Sequence, residues 1–129
     1  IDPGVWQIGN YPVLTGGSGT DTAGVASTAV AELDGVQYMF YVGFTEWVQG
    51  QGFISASRLT LNLATSTDGG MSWQKDPNNP IPVNLTNPGE ISSVGAQVVG
   101  RRIHLWVTDN YGGSSAVGYF YYEPDIQPH

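Results

Sequence analysis

Residues 66–73 read Ser66-Thr67-Asp68-Gly69-Gly70-Met71-Ser72-Trp73, and the fold class turns on how this octet is read. Asp-Gly-Gly is a sharp turn signal, because glycine takes positive φ freely and an Asp side chain bonds the backbone two residues on. Ser66, Asp68 and Ser72 can tie such a turn to itself, with Gly70 between them and Trp73 free to drop into a core just beyond. The spacing Ser-x-Asp-x-Gly-x-Ser-Trp predicts a hairpin between two strands. A Gly-rich β-turn ahead of a buried Trp is the plainer reading of the same residues.

The composition around the octet agrees with strands and turns. The chain has 129 residues, enough for one domain with its own core. It is 40% hydrophobic and only 12% charged, with 18 Gly and 8 Pro, which suits short strands joined by many turns. Long helical periodicity is missing, and no apolar run approaches the roughly 18 residues of a membrane span. Four Lys+Arg against eleven Asp+Glu give a net charge of −7, so nucleic acid and anionic membranes are poor partners. With no cysteine there are no disulfides, no thiol chemistry and no Cys-based zinc site. The opening at Ile1 rather than Met suggests a trimmed product or an upstream start. Asn84-Leu85-Thr86 fits an N-glycosylation acceptor.

Folded on itself at about 68 residues, the chain repeats. Trp6-Gln7 answers Trp73-Gln74, and Asn10-Tyr11-Pro12-Val13 answers Asn78-Asn79-Pro80-Ile81. Tyr38-Met39-Phe40 answers His104-Leu105-Trp106, and Leu61-Asn62-Leu63 answers Val117-Gly118-Tyr119. One domain, 1–129, therefore divides into a unit at about 15–83 and a second at about 84–129 plus an N-terminal strand 5–14. Each unit reads as an inner strand a (25–32; 93–99), then b (36–44; 102–109), c (58–66; 115–122) and a short outer d (72–83; 5–14). Leu33-Asp34-Gly35 and Gly100-Arg101 sit where tight hairpins belong. The stretch Glu46 to Ser57 reads as a Gly/Gln insertion in the first unit.

The octet resembles the Asp-box, or BNR repeat, of sialidase-like β-propellers. A wider set of segments resembles the five-bladed glycosidase-like propellers of the arabinanase and invertase type. These segments are Asn10 to Leu14, Gly16 to Gly24, Tyr38 to Gly43, Ala64 to Trp73 and Ala116 to Tyr122, spread along nearly the whole length of the chain. The resemblance implies an all-β fold of two four-stranded antiparallel propeller blades, completed by oligomerisation or by further blades. It implies an extracellular or periplasmic, carbohydrate-active module, glycoside hydrolase-like, that binds or processes a glycan at the channel mouth without a cofactor. The alternative is a non-catalytic, lectin-like module that assembles into a symmetric ring. In such families the Asp-box is a structural turn away from the substrate. Where active relatives carry Glu-Ser-Pro or Gly-Pro, this chain has Ala26-Ser27-Thr28-Ala29 and Ser92-Ser93-Val94-Gly95. Arg101 and Arg102 fall in an a–b turn on the opposite face, leaving only Arg58, which argues against sialic acid.

The chemistry should gather where the approach to strand a and the b–c loop share a face. Asp21 and Glu90 each precede a strand a; Glu46-Trp47 and Asp109-Asn110-Tyr111 each follow a strand b. Two such carboxylates can act as acid and as base or nucleophile, with their spacing setting the stereochemistry. Trp47 and Tyr111 can stack on sugar faces beside Asn110. The same acids also suit solvated loops and turns. His104 reads as a packed or edge histidine, His129 as a frayed terminus, and Asp76 to Asn79 as a Pro-broken turn rather than a calcium loop. No metal ligand set is assigned.

Two units leave apolar inner strands uncovered, at about 1.5–3 kcal/mol per wet side chain. The expectation is a homo-oligomer, trimer ahead of dimer, with the strand around Trp6 pairing beside the strand that ends at Tyr122.

Overall fold

The computed structural model describes residues 13–17, 21–22, 24–50, 53–57, 59–81, 91–111 and 114–124. They are all-β, in nine strands: β1 (Gly24–Leu33), β2 (Val36–Phe44), β3 (Glu46–Gly50), β4 (Phe53–Ser57), β5 (Thr60–Ser66), β6 (Gln74–Lys75), β7 (Ile91–Val99), β8 (Arg102–Tyr111) and β9 (Ser114–Tyr122). The first sheet has the order β1-β2-β5-β6, the second β7-β8-β9, and β3-β4 stand as a separate hairpin. Every pairing is antiparallel.

Strand β2 shows why a sheet forms here. Its nine residues, Val-Gln-Tyr-Met-Phe-Tyr-Val-Gly-Phe, are dense in β-branched and aromatic types, which pack well on a pleated surface. From Tyr38 to Phe44 it is buried on both faces: Tyr38, Phe40 and Val42 meet the second sheet, and Met39 and Tyr41 are covered by Leu14, Val25 and Trp73. The β1–β2 turn places Asp34 at φ 54° and Gly35 at φ 80°, the two positive values of a type I′ hairpin. In the β7–β8 turn Gly100 takes φ 62°. Arg101 of that turn bonds Asp34 at 2.6 Å. Both side chains are at least half exposed, so the pair adds little stability, but it brings the two hairpins together at one end of the molecule.

The sheets pack face to face. Ala31, Tyr38, Phe40, Val42, Leu61 and Leu63 of the first meet Ile91, Val94, Ile103, Leu105 and Val107 of the second in one core. Tyr122 sets its ring edge against Tyr38 at 5.9 Å and Phe40 at 6.0 Å. A bulge in β1 at Ser27, held at φ 30°, lets the serine Oγ accept from the Val94 N–H across the gap at 3.3 Å. The strained residue thus becomes a link between sheets.

Several expected boundaries shift. Strand c of the first unit starts at Thr60, strand a of the second at Ile91, and strand b of the second runs on to Tyr111. The expected insertion at 46–57 is a paired hairpin, Glu46 opposite Ser57 through Gly50 opposite Phe53. Of the strand expected at 72–83, the described residues 72–81 form only the short Gln74–Lys75 strand, because Pro77 and Pro80 have no N–H for a ladder. Asn79 replaces the missing backbone: its Oδ1 accepts from Leu63 N at 2.9 Å and its Nδ2 donates to Leu63 O at 3.0 Å. Ile81 N then donates to Leu61 O at 2.7 Å. The second sheet has three strands rather than four among the described residues; of the strand expected at 5–14, residues 5–12 lie outside them and Val13-Leu14 form a bend rather than a strand.

Candidate functional site

The octet forms the turn that follows β5. Asp68 Oδ1 accepts from Ser66 Oγ at 2.7 Å, Ser72 N at 2.9 Å and Met71 N at 3.0 Å, while Oδ2 accepts from Ser72 Oγ. Ser66 Oγ accepts in turn from Gly70 N at 2.9 Å. Gly69 and Gly70 take φ 79° and 94°, and a Cβ on Gly70 would lie 2.7 Å from Gln37 Oε1. Trp73 Nε1 donates to Gly70 O at 2.9 Å, closing the loop onto itself. The Asp68 carboxylate spends its lone pairs inside the turn.

The bonds from Ser72, from Ser66 and from the Met71 amide hold the Asp68 carboxyl well below the usual carboxylate range. A depressed folded value means that the contribution is present above the ordinary aspartate value of about 3.9 and fades as pH falls toward the folded one. Asp68→Ala should lower the melting midpoint by about 5 °C near neutrality, with the gap to wild type narrowing in acid. An unchanged midpoint accompanied by loss of ligand binding would make the turn a contact site instead.

Asp21 has a different fate from the one its position suggests. Its side chain is 2% exposed and lies 2.8 Å from Lys75 Nζ, whose side chain is 26% exposed. Tyr41 Oη donates to Asp21 Oδ2 at 3.2 Å, and Gly17 N donates to Oδ1 at 3.2 Å. Burial first, then the Asp21 charge and hydrogen bond, push the Tyr41 phenol above its ordinary value, so it keeps its proton and donates. Lys75 Nζ also donates to Thr15 O at 2.7 Å. At Gly16 a Cβ would come within 2.6 Å of Asp21 O and Gly24 Cα, so only glycine lets the chain pass. The cluster ties Thr15, Gly17 and Asp21 to one another and to β2 and β6.

The remaining expected site residues divide. Glu46 and Trp47 open β3, opposite Ser57 and Ala56. Asp109, Asn110 and Tyr111 close β8 as ladder residues opposite Ala116, Ser115 and Ser114, rather than as a loop after the strand. Because the 34–35 and 100–101 hairpins meet at one end, the end of β2 leading to Glu46 and the end of β8 at Tyr111 both lie at the other. Glu90 lies outside the described residues. Among the described residues no group of three or more His, Asp or Glu forms a set able to hold a metal.

Two features were not among the expected site residues. Between the sheets lies a cleft of about 400 Å³ walled by Phe40, Leu63, Leu105 and Phe120, with Asp76 and Asn78 among its polar lining; this is within the usual range for a small-ligand site. On the outward side of the second sheet, His104 stacks on Trp106 (6.3 Å, 26°) and Tyr119 (5.6 Å, 22°), and its Nδ1 pairs with the Tyr119 hydroxyl. Arg102 sits 4.6 Å over the Tyr121 ring and bonds Glu123 at 2.5 Å. The alternation Arg102, His104, Trp106 was the one available clue to this face. No protein-family model matches the chain, and no curated protein matches it either.

Proposed function

We propose that the chain is a pair of propeller-type blades that binds a glycan without cleaving it. The blade reading draws support from the strand order β1-β2-β5-β6, repeated as β7-β8-β9, with the two sheets stacked face to face. The observation that carries the non-catalytic half is the burial of Asp21. A carboxylate sealed from solvent and held by Lys75, Tyr41 and Gly17 has no access to a glycosidic oxygen or to a water beside one. The glycan site is the end of the molecule bearing Glu46, Trp47, Asp109, Asn110 and Tyr111. There the two aromatics would supply platforms, and the acids and amide would bond sugar hydroxyls. Such a module works outside the cell or in the periplasm.

The test is a glycan array followed by calorimetry on the hits. Trp47→Ala and Tyr111→Ala should each weaken binding about tenfold, equivalent to about 1.4 kcal/mol, with no release of reducing sugar by the wild type. An array without hits would remove the glycan. Hydrolysis abolished by Glu46→Gln or Asp109→Asn would make the protein an enzyme.

A further inference from the structure

The internal repeat identifies which side of each sheet is which. Tyr38 and Phe40 correspond to His104 and Trp106, and Leu61 and Leu63 to Val117 and Tyr119. The ladders agree, since Phe40 pairs with Leu63 and Trp106 pairs with Tyr119. In the first sheet this side is the one sealed by Ile103, Leu105 and Val107 of the second. In the second sheet the same side faces outward: Phe40 is 0% exposed, Trp106 40% and Tyr119 52%. Val99, Val117 and Tyr121 extend the exposed patch.

The outward copy is also written in different residues. Tyr38, Phe40, Leu63 and Thr65 give way to His104, Trp106, Tyr119 and Tyr121, with Arg102 lying over Tyr121. Trp, Tyr and Arg dominate binding hot spots, whereas Lys, Glu and Ser mark ordinary surface. The stacked rings are already ordered by one another, so docking costs little further side-chain freedom.

We infer that this face docks a second copy of the chain, head to tail. The surface it receives is the counterpart of the Leu105 side, which in the first sheet is the Met39 side. Met39 and Tyr41 themselves are buried, and the accessible part of that side is β1. Thr28, Val30 and Glu32 stand there, directly opposite Tyr41, Met39 and Gln37 in the ladder. Val30 is 49% exposed, and Thr28 and Glu32 are exposed. In the existing contact β7 lies against β1 and β2. The next copy's β1 lies against β7 and β8 in the same way, bringing Glu32 toward the side that carries Arg102 and His104. Arg102, which also pairs with Glu123, is the cation on that side for Glu32 to approach between chains of net charge −7. The two surfaces differ, so the contact is heterologous and either closes into a ring or extends. The repeat and the packing carry this contact independently of any bound glycan.

Two variants test it by sedimentation velocity. One removes the aromatic face (Trp106→Ala with Tyr119→Ala), the other blocks the β1 strip (Val30→Glu). Wild type should associate with rising concentration beyond its 13.8 kDa monomer. Each variant alone should associate about thirtyfold more weakly or worse, the effect of a hot-spot residue, with unchanged circular dichroism. Mixed in equal amounts, they should form a one-to-one dimer and nothing larger, because each retains the surface the other lacks. If the double variant fails to fold, Val117→Lys on the same face takes its place. A wild type that stays monomeric throughout, a variant that still assembles alone, or a mixture that stays monomeric overturns the inference. So does a monomeric wild type whose glycan binding is lost with Trp106 and Tyr119, which would assign the face to sugar.

Discussion

Asp21→Ala should destabilise the protein by about 3 kcal/mol, read as a lower urea midpoint at unchanged slope. Removing the carboxylate leaves the partly buried Lys75 ammonium without its ion-pair partner at 2.8 Å and strips Tyr41 Oη of its acceptor, while Gly17 N keeps the Asp21 carbonyl at 3.0 Å. Breaking a buried pair from one side costs about 3–5 kcal/mol, and the 26% exposure of Lys75 places this pair at the lower end. Asp21→Asn keeps an acceptor for Tyr41 and should lose less. Set against a typical total of about 5–15 kcal/mol, the alanine variant takes a large share of the stability. A loss below about 1 kcal/mol would show that the clamp is incidental. An unchanged midpoint with lost sugar turnover would return Asp21 to catalysis.

Phe40→Ala should cost about 3–5 kcal/mol, while Trp106→Ala, at the same place in the second unit, should cost the isolated monomer only about 1–2 kcal/mol. Phe40 is fully buried between the sheets, among Leu63, Leu105 and the Tyr122 ring. Its removal opens the inter-sheet cleft that it already walls and forfeits an aromatic edge contact worth about 0.5–1.5 kcal/mol. Trp106 lies on the outward face and shares its packing with His104 and Tyr119. The comparison is made by urea unfolding at concentrations where any association is absent. Equal costs would mean that Trp106 is covered within the monomer and that the two sides of the second sheet have been wrongly distinguished.

By itself the sequence determined the elements whose bonds are local. The Ser66–Trp73 turn could be read because its hydrogen bonds span two to four residues. The 34–35 hairpin could be read because Asp-Gly supplies its two positive φ values, and β2 because a run of branched and aromatic residues admits little else. The shortened outer strand was half legible in Pro77 and Pro80; that Asn79 would stand in for the ladder at Leu63 was not. Tertiary structure alone decided three things. Asp21 meets Tyr41 and Lys75, 20 and 54 residues away, and no spacing rule distinguishes such a clamp from a solvated loop acid. The 46–57 stretch pairs with itself through a backbone ladder, which its Gln and Gly side chains do not announce. Last, β8 alternates Leu105 and Val107 on one side with His104 and Trp106 on the other. Both sides carry large apolar groups, so periodicity gives the alternation but not which side is covered. That choice is made by the sheet packed against it, here the one carrying Phe40 and Leu63.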